Sequence, residues 1–152
     1  MVALIRADSI NLPLFLHVLG AMLLVGTLAF VGLLILVGWR ASDRAAALTR
    51  LALRAIPYGV LPAYVLMRVG AQWTEAEWDY PEGFDPAWIG IGYLTADLGA
   101  VLLLISIVLA ATGLRKLRSG GGLGLGRAVG VISLVLVAAY LVAVWAMTAK
   151  PV

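Results

Sequence analysis

The sequence predicts an all-α fold: a four-helix transmembrane bundle, up-down and antiparallel, with the N-terminus and C-terminus outside. Three observations predict it. The first is apolarity. Of 152 residues, 63% are hydrophobic, and the mean hydropathy is +1.05. No soluble domain of this size can hide that much apolar surface, so lipid must be the solvent for much of it. The second is that charges gather in short segments between long uncharged stretches. The third is that these segments alternate in sign. Segment 40–54 carries Arg40, Arg44, Arg50 and Arg54 against Asp43. Segment 73–88 carries Glu75, Glu77, Asp79, Glu82 and Asp85, with no Lys or Arg. Segment 115–127 is basic again, through Arg115, Lys116, Arg118 and Arg127. Lys and Arg resist translocation, so basic loops stay inside. The net charge of +3 is therefore a sum over two opposed faces and gives no argument for nucleic acid.

The whole chain, 1–152, reads as one transmembrane domain. Span 1 covers 12–38, with Asn11 as N-cap and Pro13 in the first turn, where its missing N–H costs nothing. It is too long for the apolar core of a signal peptide and no basic region precedes it, so it reads as a retained helix. Trp39 and Arg40 mark the inner interface, and 40–47 is the first basic inner loop. Span 2 covers 48–72, capped by Ser42 or Asp43. Pro57 and Pro62 each remove a backbone hydrogen bond, which predicts a kink or loosening over 53–62.

Trp73 closes that span, and an acidic outer loop follows over 73–88, broken by Pro81, Gly83 and Pro86 and lying against the headgroups. Span 3 covers 88–114. The second basic inner loop, 115–127, contains the run SGGGLGLG, which reads as a flexible hairpin. Span 4 covers 127–148, with Trp145 and Lys150 at its outer end. Stripes of small residues at intervals of four mark packing faces: Ala55, Gly59 and Ala63; Gly92, Ala96 and Ala100; Ala139 and Ala143.

Three strongly polar side chains fall inside the spans: His17, Arg68 and Asp97. At the helix rise, His17 and Arg68 lie about 8 Å below the outer ends of their spans and Asp97 about 13 Å. Tyr140 lies about 12 Å below its own end. Tyr64 and Tyr93 sit one turn from Arg68 and Asp97 on the same helix faces. These six residues form one polar band in the outer half of the bilayer. A carboxylate near mid-bilayer costs about 2.5–3.5 kcal/mol on insertion scales. Asp97 must therefore be protonated, paired or facing a wet cavity. Arg68 is its natural partner through a guanidinium–carboxylate pair. Two readings stand beside each other: a polar site, or an ion pair that holds spans 2 and 3 in register. Arg68 alone can also snorkel to the headgroups.

Cysteine is absent, which excludes disulfides, thiolate metal sites and thiol chemistry. His17 is the only histidine and the only plausible nitrogen ligand for a metal. A b-type haem held between two spans needs two axial ligands, so it would require a homodimer or another partner. No HExxH, P-loop or serine-nucleophile motif occurs, and GGGLGLG follows a basic turn rather than a strand.

The segment Leu16-His17-Val18-Leu19-Gly20-Ala21, followed by Gly26, resembles the first span of a group of small four-span bacterial integral membrane proteins of unknown function. It is also distantly similar to the copper-resistance protein D family, which opens a span with His-Xaa-Xaa-Gly/Ala and is implicated in copper uptake. The resemblance carries over His17 alone. It implies a multi-pass protein of the bacterial inner (plasma) membrane, in keeping with an Ala-, Leu-, Val- and Arg-rich composition.

The functional expectation is a non-enzymatic membrane protein with no catalytic residues: an accessory subunit or homo-oligomer, partnered by lipid and other membrane subunits. Its polar site lies in the outer half of the bilayer. One alternative is transport or binding of a proton, metal ion or haem at the His17, Arg68 and Asp97 band. Another is a lipid- or quinone-directed enzyme with Asp97 and His17 as acid and base.

Overall fold

A computed structural model describes residues 8–40, 43–78 and 86–149. Among these, helix is nearly continuous and no strand occurs. Helix α1 is Asp8–Arg40, α2 is Ala45–Ala55, α3 is Leu61–Glu77, α4 is Ala87–Arg118 and α5 is Gly124–Ala149. A π-helical turn, Ile56–Val60, joins α2 to α3 without a break. Helices α1, α4 and α5 are each long and apolar enough to cross a membrane. The stretch 45–77 is equally long, but the π turn divides it and charges crowd both its ends. It is uncharged only over 55–67, about 20 Å of helix.

The π turn falls inside the predicted loosening and has a local cause. Pro57 and Pro62 lack the N–H groups that would close two α-helical rings, and each ring clashes with the carbonyl four residues back. Widening the turn relieves both problems. The Leu61 N–H reaches the Ile56 carbonyl, five residues back.

Several expected boundaries move. Helix already runs at Asp8, so Asn11 lies within α1 and is no cap. The N-cap position of α2 is Arg44, with no side-chain cap bond, and Asp43 pairs instead with the Arg44 guanidinium at 3.8 Å. Ser42, the other expected cap, lies outside the described residues, as do 79–85 and Lys150. Residues 73–77, placed in the outer loop, continue α3, because their side chains hydrogen-bond along the helix: Thr74 to the Gly70 carbonyl and Trp73 to Glu77.

The glycine-rich run is shorter and more ordered than expected. Helix α4 continues through Arg118, and α5 begins at Gly124. Between them Gly120 takes a left-handed φ of +76°, and the Gly121 N–H bonds the Lys116 carbonyl at 2.8 Å. This is a Schellman cap, in which glycine avoids the Cβ penalty and the orphan carbonyls at the helix end are satisfied.

One apolar core runs between the helices. Helix α1 contributes Leu24, Leu28, Val31 and Ile35, a seven-residue period that keeps one seam facing its neighbours. Leu53, Ile56, Val60, Ala63 and Met67 answer from the 45–77 stretch, Leu103, Ala110 and Leu117 from α4, and Val129, Leu136 and Tyr140 from α5. Close backbone approach joins α1 to α3, α1 to α5 and α4 to α5. At the α1–α3 crossing, a Cβ added to Gly20 would strike the Leu66–Met67 backbone, and one added to Gly70 would strike the Leu16–His17 backbone. These two glycines are what lets the helices touch.

Helices α2 and α4 meet at the end that carries Arg44, Arg50, Arg54, Arg115, Lys116 and Arg118 (the basic end). Toward the opposite, acidic end no comparable backbone approach joins α3 to α4. The seam between these two helices is where the polar residues lie.

Candidate functional site

Three long polar side chains tie α3 to α4 where their backbones stand apart. The Tyr64 hydroxyl donates to the Ala96 carbonyl at 3.1 Å. One turn on, the Arg68 guanidinium donates to the Asp97 carboxylate at 2.8 Å. The same guanidinium lies over the Tyr93 ring, 5.0 Å from its centroid. The Tyr93 hydroxyl in turn donates to the Glu75 carboxylate on α3. Antiparallel α3 and α4 thus carry a ladder of cross-ties in place of a packed apolar seam. An arginine flanked by a carboxylate and an aromatic face has its charge and its plane both satisfied.

The pair is not enclosed. The Arg68 side chain is 23% exposed, but that of Asp97 is 64% exposed. Asp97 lies on the outward flank of α4, along with exposed Leu94, Leu98, Val101, Ile105 and Val108. One carboxylate oxygen meets Arg68, and the side chain otherwise looks away from the protein.

His17 belongs to a different contact. Its Nδ1 lies 3.0 Å from the Met67 carbonyl across the α1–α3 crossing. A carbonyl can only accept, so Nδ1 carries the hydrogen of this bond. Met67 directly precedes Arg68, yet successive helical residues point about 100° apart. The imidazole therefore serves the α1 face of α3, while Arg68 serves the α4 face.

Tyr140 belongs to a neighbouring seam but stays within electrostatic reach of Tyr64 and Arg68. It is buried on α5, and a Cβ on Gly99 of α4 would collide with its hydroxyl. Its oxygen has no hydrogen-bond partner among the described residues. Of the six residues expected in one band, the structure brings together Arg68, Asp97, Tyr64 and Tyr93. It sets His17 against α1–α3 and Tyr140 against α4–α5. All lie at similar depth: His17, Arg68, Asp97 and Tyr140 sit about 13–15 Å from their helix ends at the helix rise. The longer helices make these depths larger than those expected from the shorter spans.

Two features escaped the sequence reading. Glu75 was assigned to the acidic loop, but it is a helical partner of Tyr93. At the α4–α5 seam two glycines seven residues apart, Gly92 and Gly99, are answered by Met147 and Tyr140. That spacing was present in the sequence, and the interval-of-four stripes drew attention from it. Ser106 and Ser133 are both buried, with no partner for either hydroxyl among the described residues. Among the described residues no three His, Asp or Glu side chains gather as a metal-ligand set.

No known protein family matches this chain, and comparison with curated proteins and with solved structures finds no match.

Proposed function

We propose that this chain is a non-enzymatic, four-span subunit of a membrane assembly, and that the flank of α4 around Asp97 is the surface by which it meets its partner. The observation that carries this is the exposed carboxylate, 64% accessible in the middle of an apolar helix face although held by Arg68. A carboxylate left facing lipid at that depth is costly, by about 2.5–3.5 kcal/mol on insertion scales. A neighbouring transmembrane helix seated on Leu94, Leu98, Val101, Ile105 and Val108 would cover it and offer a donor to its second oxygen.

In this reading 45–77 crosses the bilayer as a fourth span, with Arg54 extending its stem toward the inner headgroups and Arg68 neutralised by Asp97. The basic end lies inside, and both termini lie outside. A bacterial inner membrane fits the composition. The test is the mass and composition of the protein extracted in native lipid particles. The expected particle contains more than one chain, either a second copy or another membrane protein. A particle holding one copy and nothing else would overturn the proposal.

A second reading has one observation in its favour. A histidine that ligates a metal or haem almost always donates its other ring N–H to a carbonyl or carboxylate, and His17 does so to Met67. With one histidine per chain, a haem between two such ligands requires two copies. Purified protein would then be coloured or contain metal, and His17→Ala would abolish this. A colourless, metal-free protein would remove the reading.

A further inference from the structure

At the basic end, a groove opens sideways between the α2–π segment and α4. Its volume is about 240 Å³, and its walls include Pro57, Tyr58, Ala111 and Leu114, with Arg54 and Arg118 at its margin. Four observations bear on its occupant. First, both arginines are exposed, and neither has a hydrogen bond or ion pair among the described residues. Second, this end carries Arg40, Arg44, Arg50, Arg54, Arg115, Lys116, Arg118 and Arg127, while its single described carboxylate, Asp43, is beside Arg44. Third, Tyr58 is 82% exposed at the groove, and its hydroxyl has no partner among the described residues. Fourth, the rest of the groove wall is apolar, formed by Leu53, Pro57, Ile107, Ala110, Ala111 and Leu114.

The helix geometry aims both cations at one place. Cα–Cβ bonds tilt toward a helix's N-terminus. Helix α2 starts at the basic end, so Arg54 leans back toward it. Helix α4 ends there, so Arg118 leans up into the groove. A soluble anion would satisfy the two guanidinium groups but leave the apolar walls and the open flank uncovered. An acyl chain alone would do the reverse.

We propose that this groove seats one anionic phospholipid. Its phosphate lies between Arg54 and Arg118, its glycerol backbone accepts a hydrogen bond from Tyr58, and an acyl chain follows the wall formed by Pro57, Ala111 and Leu114. Basic pockets between transmembrane helices are suited to such headgroups. Nothing in this depends on Asp97, which lies 21 residues before Arg118 on α4.

The experiment measures lipid retention by native mass spectrometry, with purified protein in particles of zwitterionic phosphatidylcholine alone or mixed with anionic phosphatidylglycerol. Wild type should retain one phosphatidylglycerol in preference to phosphatidylcholine, and added inorganic phosphate should not displace it. Arg54→Gln/Arg118→Gln should weaken retention by about 30-fold, from the usual contribution of one basic residue near an anionic surface taken twice. Arg50→Gln/Arg115→Gln removes the same charge outside the groove and should change retention by less than about threefold. Ala111→Trp keeps every charge and fills the groove, and it too should abolish preferential retention. It also serves if the double arginine variant fails to fold. Equal loss in the two double variants would reduce the effect to diffuse surface charge and overturn the site. So would indifference to Ala111→Trp, displacement by phosphate, or no preference for the anionic lipid.

Discussion

At the scale of single residues, the Arg68–Asp97 contact decides how the polar band is understood. Asp97→Asn leaves the arginine without a counter-charge on a half-apolar flank, whereas Arg68→Gln/Asp97→Asn leaves two neutral amides that can still meet. Each single change should lower stability by roughly 1–2 kcal/mol, and the double should cost less than the two together, with a coupling of about 1 kcal/mol. Unfolding in mixed micelles by graded addition of dodecyl sulfate measures this, and strictly additive losses would mean that the pair contributes nothing in the membrane.

Tyr140 gives an independent residue-level test. Its hydroxyl is buried without a partner, and Gly99 leaves room for it. Gly99→Ala should destabilise by about 1–3 kcal/mol through overpacking. Tyr140→Phe removes an unsatisfied buried oxygen and should be neutral or stabilising. Combining the two should restore part of what Gly99→Ala loses, because the ring carbon Cζ still stands 3.0 Å from the added methyl, as read by the same unfolding assay. The need for a polar partner at Asp97 was legible in the sequence because a carboxylate in an apolar run has few physical options. The turning of His17 to the α1–α3 contact and of Tyr140 to the α4–α5 seam was not. Depth follows from counting residues, but the direction a side chain faces depends on helix rotation, which the π turn and the glycine crossings set.

At the scale of elements, the π turn is the piece that aims α3. An extra residue in one turn rotates everything beyond it by about 100° relative to a regular helix. Tyr64 and Arg68 lie beyond the turn and reach α4. Pro57→Ala/Pro62→Ala restores both N–H groups and removes both ring clashes, so the stretch can relax to a regular helix. The Arg68–Asp97 coupling should then fall toward zero although neither residue has been changed. An undiminished coupling would show that the neighbouring helices, and not the π turn, fix the rotation of α3.

The prolines announced a disturbance at this position, but a sequence pattern cannot say whether a helix answers two prolines by bending or by widening. Helix ends were misjudged for a related reason. Charged and glycine residues read as loop in 73–77, 115–118 and 124–126, yet helix continued through all three once its carbonyls and N–H groups found partners along the chain.

At the scale of the whole molecule, the alternation of basic and acidic segments is the basis of the proposed sidedness. The absence of cysteine makes single-cysteine labelling free of background. In intact cells a membrane-impermeant maleimide should label Ala76→Cys and Thr148→Cys, and should label Asp43→Cys and Gly122→Cys only after the membrane is opened. Labelling of Asp43→Cys and Ala76→Cys from the same side would mean that 45–77 does not cross, and the protein would have three spans. The apolar composition made the membrane class plain from the sequence. The proposed assembly did not follow from it, because an exposed apolar face looks alike whether lipid or protein covers it. The exposed carboxylate on the α4 flank is the observation on which the proposed partner rests.

That flank can be probed directly by crosslinking in native membranes through a cysteine at Val101, one turn from Asp97 on the same face of α4. A cysteine at Val142, exposed on α5, serves as the control. The account predicts a discrete adduct from Val101→Cys, with itself or with one other membrane protein, no adduct from Val142→Cys, and loss of the Val101 adduct when Asp97→Asn is added. No adduct at Val101, or one that survives the loss of the carboxylate unchanged, would contradict it.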